Sequence, residues 1–320
     1  MKFDAYVNTD FWNTTWLPRH ARRVHLFHGV AGKYGLDAPV AIAPVVRSFD
    51  RVMFANEDRL GRYIEAGIVE PDGDRAQLIG YPKVDCLVDG SLDRRRIQKG
   101  LGLDPSRPTV LYAPTWSPDS SLNRLGPALI PALAALDVNV VVKLHDRSFD
   151  SRSRTAHSPD WREALDPLCA AARAVAARGS DIEPYLYAAD VLVTDHSSAG
   201  FEFMLLDRPL VVIDCPELIA SARVPADKVR MLRNAATVAP ADARAVARAV
   251  RSALDDPDAK RAERRAAAAR LFYRPGTATA RAVTCIYDLL GLHGHERLTA
   301  TDVALSAATI TATSGTTHHV

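Results

Sequence analysis

Residues suited to phosphate chemistry recur at the ends of short apolar runs in this chain. His28-Gly29 follows the alternating stretch Val24-His25-Leu26-Phe27, and Gly32-Lys33 lies just beyond it. An imidazole titrates near neutrality, so His28 is a candidate general base for a hydroxyl proton, with Gly29 and Gly32 keeping the loop thin. Thr115-Trp116 follows the run 109–113 and is a candidate cleft lining. Lys143, His145 and Arg147 alternate at the end of the apolar run 138–144. Period-two spacing puts them on one face if the chain stays extended, which gathers positive charge for a phosphate. The stretch Val191-Leu192-Val193-Thr194-Asp195-His196-Ser197-Ser198-Ala199-Gly200 reads as a buried strand breaking into a helix start. Unpaired amides, small side chains and the hydroxyls of Thr194, Ser197 and Ser198 suit an anion there. Each residue also has a plainer reading. His28 fits a structural turn, Lys143 and Arg147 fit solvated strand-end charges, Trp116 fits interdomain packing, and Ser197 and Glu202 fit a helix cap with an acid in its first turns.

The elements that position these residues alternate between strand and helix. Strands are expected over 4–7, 24–27, 50–54, 77–79, 109–113, 138–144, 191–193 and 209–213. Helices are expected over 57–66, 93–101, 128–136, 161–177 (broken at Pro167, with a short strand at its end), 181–189, 242–254, 258–272 and 277–290. An aromatic turn is read at Phe11-Trp12-Asn13, and the Thr/Ala/Ser-rich end from 292 to 320 reads as disordered. This alternation predicts an α/β fold with mostly parallel, doubly wound sheets. With 320 residues, 48% of them hydrophobic, the chain is long enough for two domains. The boundaries expected are 1–85, 86–276, a final helix at 277–291 and a tail at 292–320.

A formal charge of +2 excludes the dominant basic field of a nucleic-acid-binding protein. Cys86, Cys169, Cys215 and Cys285 are scattered without metal-ligand spacing and read as free thiols of a reducing compartment. No Asp-x-Asp pair stands at a strand end, so no metal or other cofactor is expected. No apolar run is long enough to span a bilayer, and the expected location is cytoplasmic, with peripheral membrane contact left open.

Four segments in order resemble the CDP-glycerol glycerophosphotransferase family of teichoic-acid-type polymerases and primases. They are His28-Gly29, Tyr112-Ala113-Pro114-Thr115-Trp116, Lys143-Leu144-His145, and the block from Asp181-Ile182 to Thr194-Asp195-His196-Ser197-Ser198. The resemblance implies a GT-B architecture of two Rossmann-like domains, a donor nucleotide held by the second, and a last helix crossing back to the first. It implies transfer of a polyol phosphate from a CDP-activated donor to a polymer or lipid-linked acceptor hydroxyl, releasing CMP, at the inner face of the membrane. In that frame His28 and His145 are catalytic, Lys143, Arg147, Thr194, Ser197 and Ser198 hold the donor phosphates, and Glu202 meets ribose hydroxyls. The chain departs from the family pattern at Asp146 (usually proline), His196 (usually tyrosine) and Glu202 (often aspartate). Only 27 residues precede His28, so the first domain is expected to be abbreviated or to begin upstream. Rival readings are a nucleotide-sugar glycosyltransferase or 2-epimerase-like enzyme of the same architecture, and a non-catalytic nucleotide-binding protein.

Overall fold

The computed structural model describes residues 3–10, 16–156 and 158–292. The aromatic turn at 11–13 and the tail from 293 lie outside the described residues. The chain begins with β1 (Ala5–Asn8), β2 (Arg22–Leu26), α1 (Pro39–Val46), β3 (Arg51–Phe54), α2 (Glu57–Glu65) and β4 (Ala76–Leu78). It continues through α3 (Arg94–Gly100), β5 (Thr109–Tyr112), α4 (Ser121–Ala134), β6 (Asn139–Val142), α5 (Trp161–Ala171), β7 (Val175–Ala176), α6 (Glu183–Ala188) and β8 (Val191–Thr194). Then come α7 (Ser198–Phe203), β9 (Leu210–Ile213), α8 (Pro216–Ser221), α9 (Ala226–Asn234), β10 (Thr237–Ala239), α10 (Ala243–Asp255), α11 (Arg261–Leu271) and α12 (Ala278–Leu289).

Contacts divide the chain into two compact units. The first collects the described residues up to His28, Leu36–Ser91 and the described residues from Arg270; the second holds Gly29–Gly35 and the described residues of Leu92–Ala269. Against the boundaries expected from the sequence, the division falls after Ser91 rather than residue 85. The short segment at Gly29–Gly35 joins the second unit, and the return to the first begins at Arg270 rather than 277.

The first unit has a four-stranded parallel sheet in the order β1-β2-β3-β4. Side chains of β3 alternate between its faces, as the strand period requires. Val52 and Phe54 pack with Phe27, Val46, Phe49 and Tyr63 on one side, while Met53 packs with Val24 and Ile79 on the other. That second face is covered by α12 through Ala282 and Cys285. The start of α12 is held by Asp85, which lies in the 3-10 turn Pro82–Leu87. Its carboxylate accepts from the amides of Gly276, Ala278 and Thr279 at 2.7–3.0 Å and from the Thr279 hydroxyl at 2.8 Å. An N-terminal cap normally comes from the preceding side chain, but here a distant acid satisfies the orphan amides. Gly80 is required beside it. Its φ is +90°, and a Cβ there would lie 2.4 Å from the Tyr273 carbonyl oxygen.

The second unit has a six-stranded parallel sheet in the order β10-β9-β8-β5-β6-β7. Every residue of β5, β8 and β9 is buried, as expected for a parallel sheet covered on both faces. The winding direction reverses between β5 and β8, the first and fourth strands of the unit. The carboxyl ends of those two strands therefore flank the crevice where sheets of this kind take ligands. Two helix expectations need correction. Helix α4 begins at Ser121 rather than 128 despite Pro127 and Pro131 inside it, because Ser121 is anchored at its start and Gly126 lies under the Trp161 ring. Pro167 does not break α5, which runs on to Ala171 before β7. Helices α1, α8 and α9 and strand β10 were not anticipated.

Candidate active site

His28 belongs to the first unit and stands just past the carboxyl end of β2, with half its side chain exposed. Parallel pairing with β1 brings the Asn8–Asp10 turn beside it. The Nδ1 of His28 is hydrogen-bonded to the Thr9 carbonyl oxygen, and the Asp10 carboxylate lies 4.0 Å from the same nitrogen. A carbonyl only accepts, so Nδ1 carries the hydrogen and the lone pair sits on Nε2. That tautomer is the one a general base needs.

In the second unit the crevice between β5 and β8 is built around Asp195. This fully buried carboxylate accepts from the Thr115 amide (3.0 Å) and hydroxyl (2.5 Å) through one oxygen. Through the other it accepts from the Ser121 amide (3.0 Å) and hydroxyl (2.9 Å). The loop after β8 thus fixes the loop after β5. Segment 29–35 closes on the same place. A Cβ on Gly29 would stand 3.6 Å from the Ser198 hydroxyl, and Lys33 Nζ donates to Thr115 Oγ1 at 3.4 Å. Tyr34 takes a left-handed conformation (φ +55°), held by its amide's bond to the Ala222 carbonyl at 3.0 Å. Its ring stacks on Trp116 at 6.2 Å, the Arg147 guanidinium lies over the Trp116 ring at 5.0 Å, and His145 is tilted against it at 6.3 Å.

The strand-end cations divide according to where their side chains turn. His145 and Arg147 are exposed. The Nδ1 of His145 accepts from the Arg147 amide at 3.0 Å, which puts the hydrogen on Nε2, the reverse of His28. Lys143 is buried, and its ammonium donates back to the Leu144 carbonyl at 2.9 Å. Thr194 is buried too, its hydroxyl donating to the Ala113 carbonyl at 2.5 Å and so tying β8 to β5. Ser197 and Ser198 are half-buried at the start of α7, where the Ser197 hydroxyl accepts from the Ala199 amide. Glu202 is buried within α7. Lys33, Tyr34 and the Asp195 hub were not singled out as site residues from sequence. The Gly-Lys pair after His28 was the available signal for Lys33. Among the described residues no group of three or more His, Cys, Asp or Glu side chains is placed to hold a metal ion.

A profile of the CDP-glycerol:poly(glycerophosphate) glycerophosphotransferase family matches residues 5–287. The chain belongs to this family. It is accordingly an enzyme of the CDP-glycerol glycerophosphotransferase type. A search of curated protein sequences finds no significant match. Among solved structures, a histidine-to-asparagine variant of the wall teichoic acid polymerase TagF is similar at a TM-score of 0.68 and 16% identity, over 92% of this chain and 74% of that one. The same variant soaked with CDPG for 30 minutes is similar at 0.67 and 17% identity, with the same coverage. The S. aureus MnaA–UDP co-structure is similar at 0.53 and 15% identity, over 86% of this chain and 71% of that one. At these identities the likeness establishes the fold, which is GT-B: two Rossmann-like units, the first with the smaller sheet.

The glycerophosphotransferase carries two buried histidines whose charge state is set by the fold. Burial pushes His196, beside the Asp195 hub, down to about 4, and among the described residues neither of its nitrogens has a hydrogen-bond partner. Burial, reinforced by His28 and Arg59, pushes His25 in the first unit down to about 3. Both start from 6.5, so between these limits the unfolded chain binds protons that the folded chain refuses. Their contribution is fully present above about pH 6.5 and declines as the pH falls, by about 1.4 kcal/mol per pH unit for each group. Urea midpoints measured from neutral pH down to about 4.5 will therefore drop steeply. Exchanging His196 for tyrosine should flatten the drop in the second unit.

Proposed function

We propose that this glycerophosphotransferase extends a cell-surface polyol phosphate polymer by moving glycerol phosphate from CDP-glycerol to an acceptor hydroxyl, with CMP as the leaving group. In this reading the second unit holds the donor at the carboxyl ends of β5 and β8. The hydroxyls of Ser197 and Ser198 meet the phosphates, and Arg147 and His145 face them from the end of β6. Trp116 and Thr115 line the crevice. His28 Nε2 takes the proton of the acceptor hydroxyl. The acceptor oxygen then bonds to the phosphorus bearing glycerol as that phosphorus releases the CMP oxygen. His145 Nε2–H serves the charge growing on the departing phosphate. Positioning and charge complementarity carry such a transfer, and the protein does little covalent work.

The observation that supports this reading most is the opposite tautomers of the two strand-end histidines. One offers a lone pair and the other a hydrogen at Nε2. Lys143, Thr194 and Glu202, all buried, are read as framework for the loops that carry the contacting groups. The acceptor is read as a lipid-linked chain reached by a peripheral enzyme at the inner face of the membrane. No described helix is long and apolar enough to cross one. Mass spectrometry of a short polyol phosphate acceptor incubated with CDP-glycerol tests the transfer. Stepwise gain of glycerol phosphate units is expected, and an acceptor of unchanged mass beside consumed donor would refute it. Flotation with vesicles, with and without lipid-linked acceptor, tests the membrane reading, and no association in either case would refute it.

A further inference from the structure

The spacing of Lys143, His145 and Arg147 makes Lys143 one of three expected donor-site cations, but its ammonium donates to the Leu144 carbonyl. Another lysine is better placed. Lys33 is delivered to the second unit by segment 29–35, and its Nζ reaches Thr115 Oγ1 at 3.4 Å. The Thr115 hydroxyl donates onward to Asp195 Oδ1, so the ammonium is aligned through a buried chain that starts at the end of β8. Asp195 already accepts four hydrogen bonds from Thr115 and Ser121. Among the described residues no carboxylate lies within ion-pair distance of Lys33, which keeps its charge available to an incoming anion. The other charged or titratable groups facing this loop are His196 beside Asp195, which is buried, Arg147, whose charge acts on Tyr34, Tyr34 itself, and Arg223, whose guanidinium reaches the Tyr34 carbonyl at 3.5 Å.

We propose that Lys33 is the cation that binds the diphosphate of the donor, with Thr115 and Asp195 as the residues that position it. The proposal rests on the reading of a CDP-activated donor given above. Lys33 acts in its protonated form. Burial pulls it down to about 8 while the Asp195 carboxylate pulls it up, so the charge is present at neutral pH and is lost through the alkaline range. An arginine at this position would keep its charge throughout that range.

Calorimetric CDP binding at about pH 7 and about pH 9.5 tests this on the wild type, Lys33→Arg and Lys33→Met, each checked for an unchanged melting profile. The wild type is expected to lose roughly tenfold or more in affinity between the two pH values, whereas Lys33→Arg loses none. Lys33→Met is expected to bind CDP at least roughly tenfold more weakly than wild type at neutral pH, with no alkaline loss left to show. A wild type whose CDP affinity is independent of pH would overturn the proposal. So would a Lys33→Arg variant that falls in parallel with wild type, or a folded Lys33→Met that binds CDP normally. Preference of the wild type for UDP over CDP would overturn the donor reading alone, and the same pH comparison read on UDP would still decide Lys33.

Discussion

Replacement of His28 by alanine is expected to lower kcat for polyol phosphate transfer at least about a hundredfold, while donor binding stays near wild type. The prediction follows from where the imidazole is held. Its Nδ1 is engaged by the Thr9 carbonyl with Asp10 close by, which leaves Nε2 as the proton acceptor, and half the side chain faces solvent. The donor contacts proposed above all come from the second unit, whereas His28 belongs to the first. Loss of the imidazole should therefore appear in kcat rather than in the KM for donor. Steady-state kinetics with the acceptor held saturating measures both. A rate equal to wild type would remove His28 from the mechanism. A rise in donor KM with kcat unchanged would recast it as a binding residue.

Replacement of Asp195 by alanine is expected to destabilise the second unit by about 3–5 kcal/mol, the range for removing one side of a buried charged network. Two amides and two hydroxyls converge on this one carboxylate, and none of them has solvent to turn to. Asp195→Asn should cost less. Its carbonyl oxygen can still serve Thr115, but its amide group then faces the Ser121 amide, donor against donor. Urea denaturation of the three proteins measures the order wild type, asparagine, alanine. Equal stability of the alanine variant would show that the hub does not organise the crevice.

The parallel core of this fold is legible in sequence because its strands are buried on both faces and so read as short unbroken apolar runs, as in Val191–Thr194. The strand-end position of His28 is legible for a different reason, the alternation of Val24-His25-Leu26-Phe27 before it. Other features depend on partners remote in sequence. Asp195 is separated by 80 residues from Thr115, and Asp85 by 193 residues from the Ala278 amide it caps, so neither role leaves a local signature. Helix α4 starts at Ser121 because Asp195 holds that residue, and local rules about proline point instead to a later start. Spacing gave Lys143 and Arg147 equal standing. The side chain of one turns back into the strand end and that of the other lies over Trp116, a difference of rotamer that no periodicity encodes. Lys33 is the clearest case. Its importance arises because seven residues just after a strand of the first unit pack with the second.

The central claim is that a CDP-activated polyol is the donor, and it is tested most directly by supplying wild-type enzyme and acceptor with CDP-glycerol, CDP-ribitol and a set of UDP-sugars and following the nucleotide released. The account predicts CMP from a CDP-polyol, dependent on acceptor, and no UDP. Release of UDP from a UDP-sugar without any CMP would contradict it.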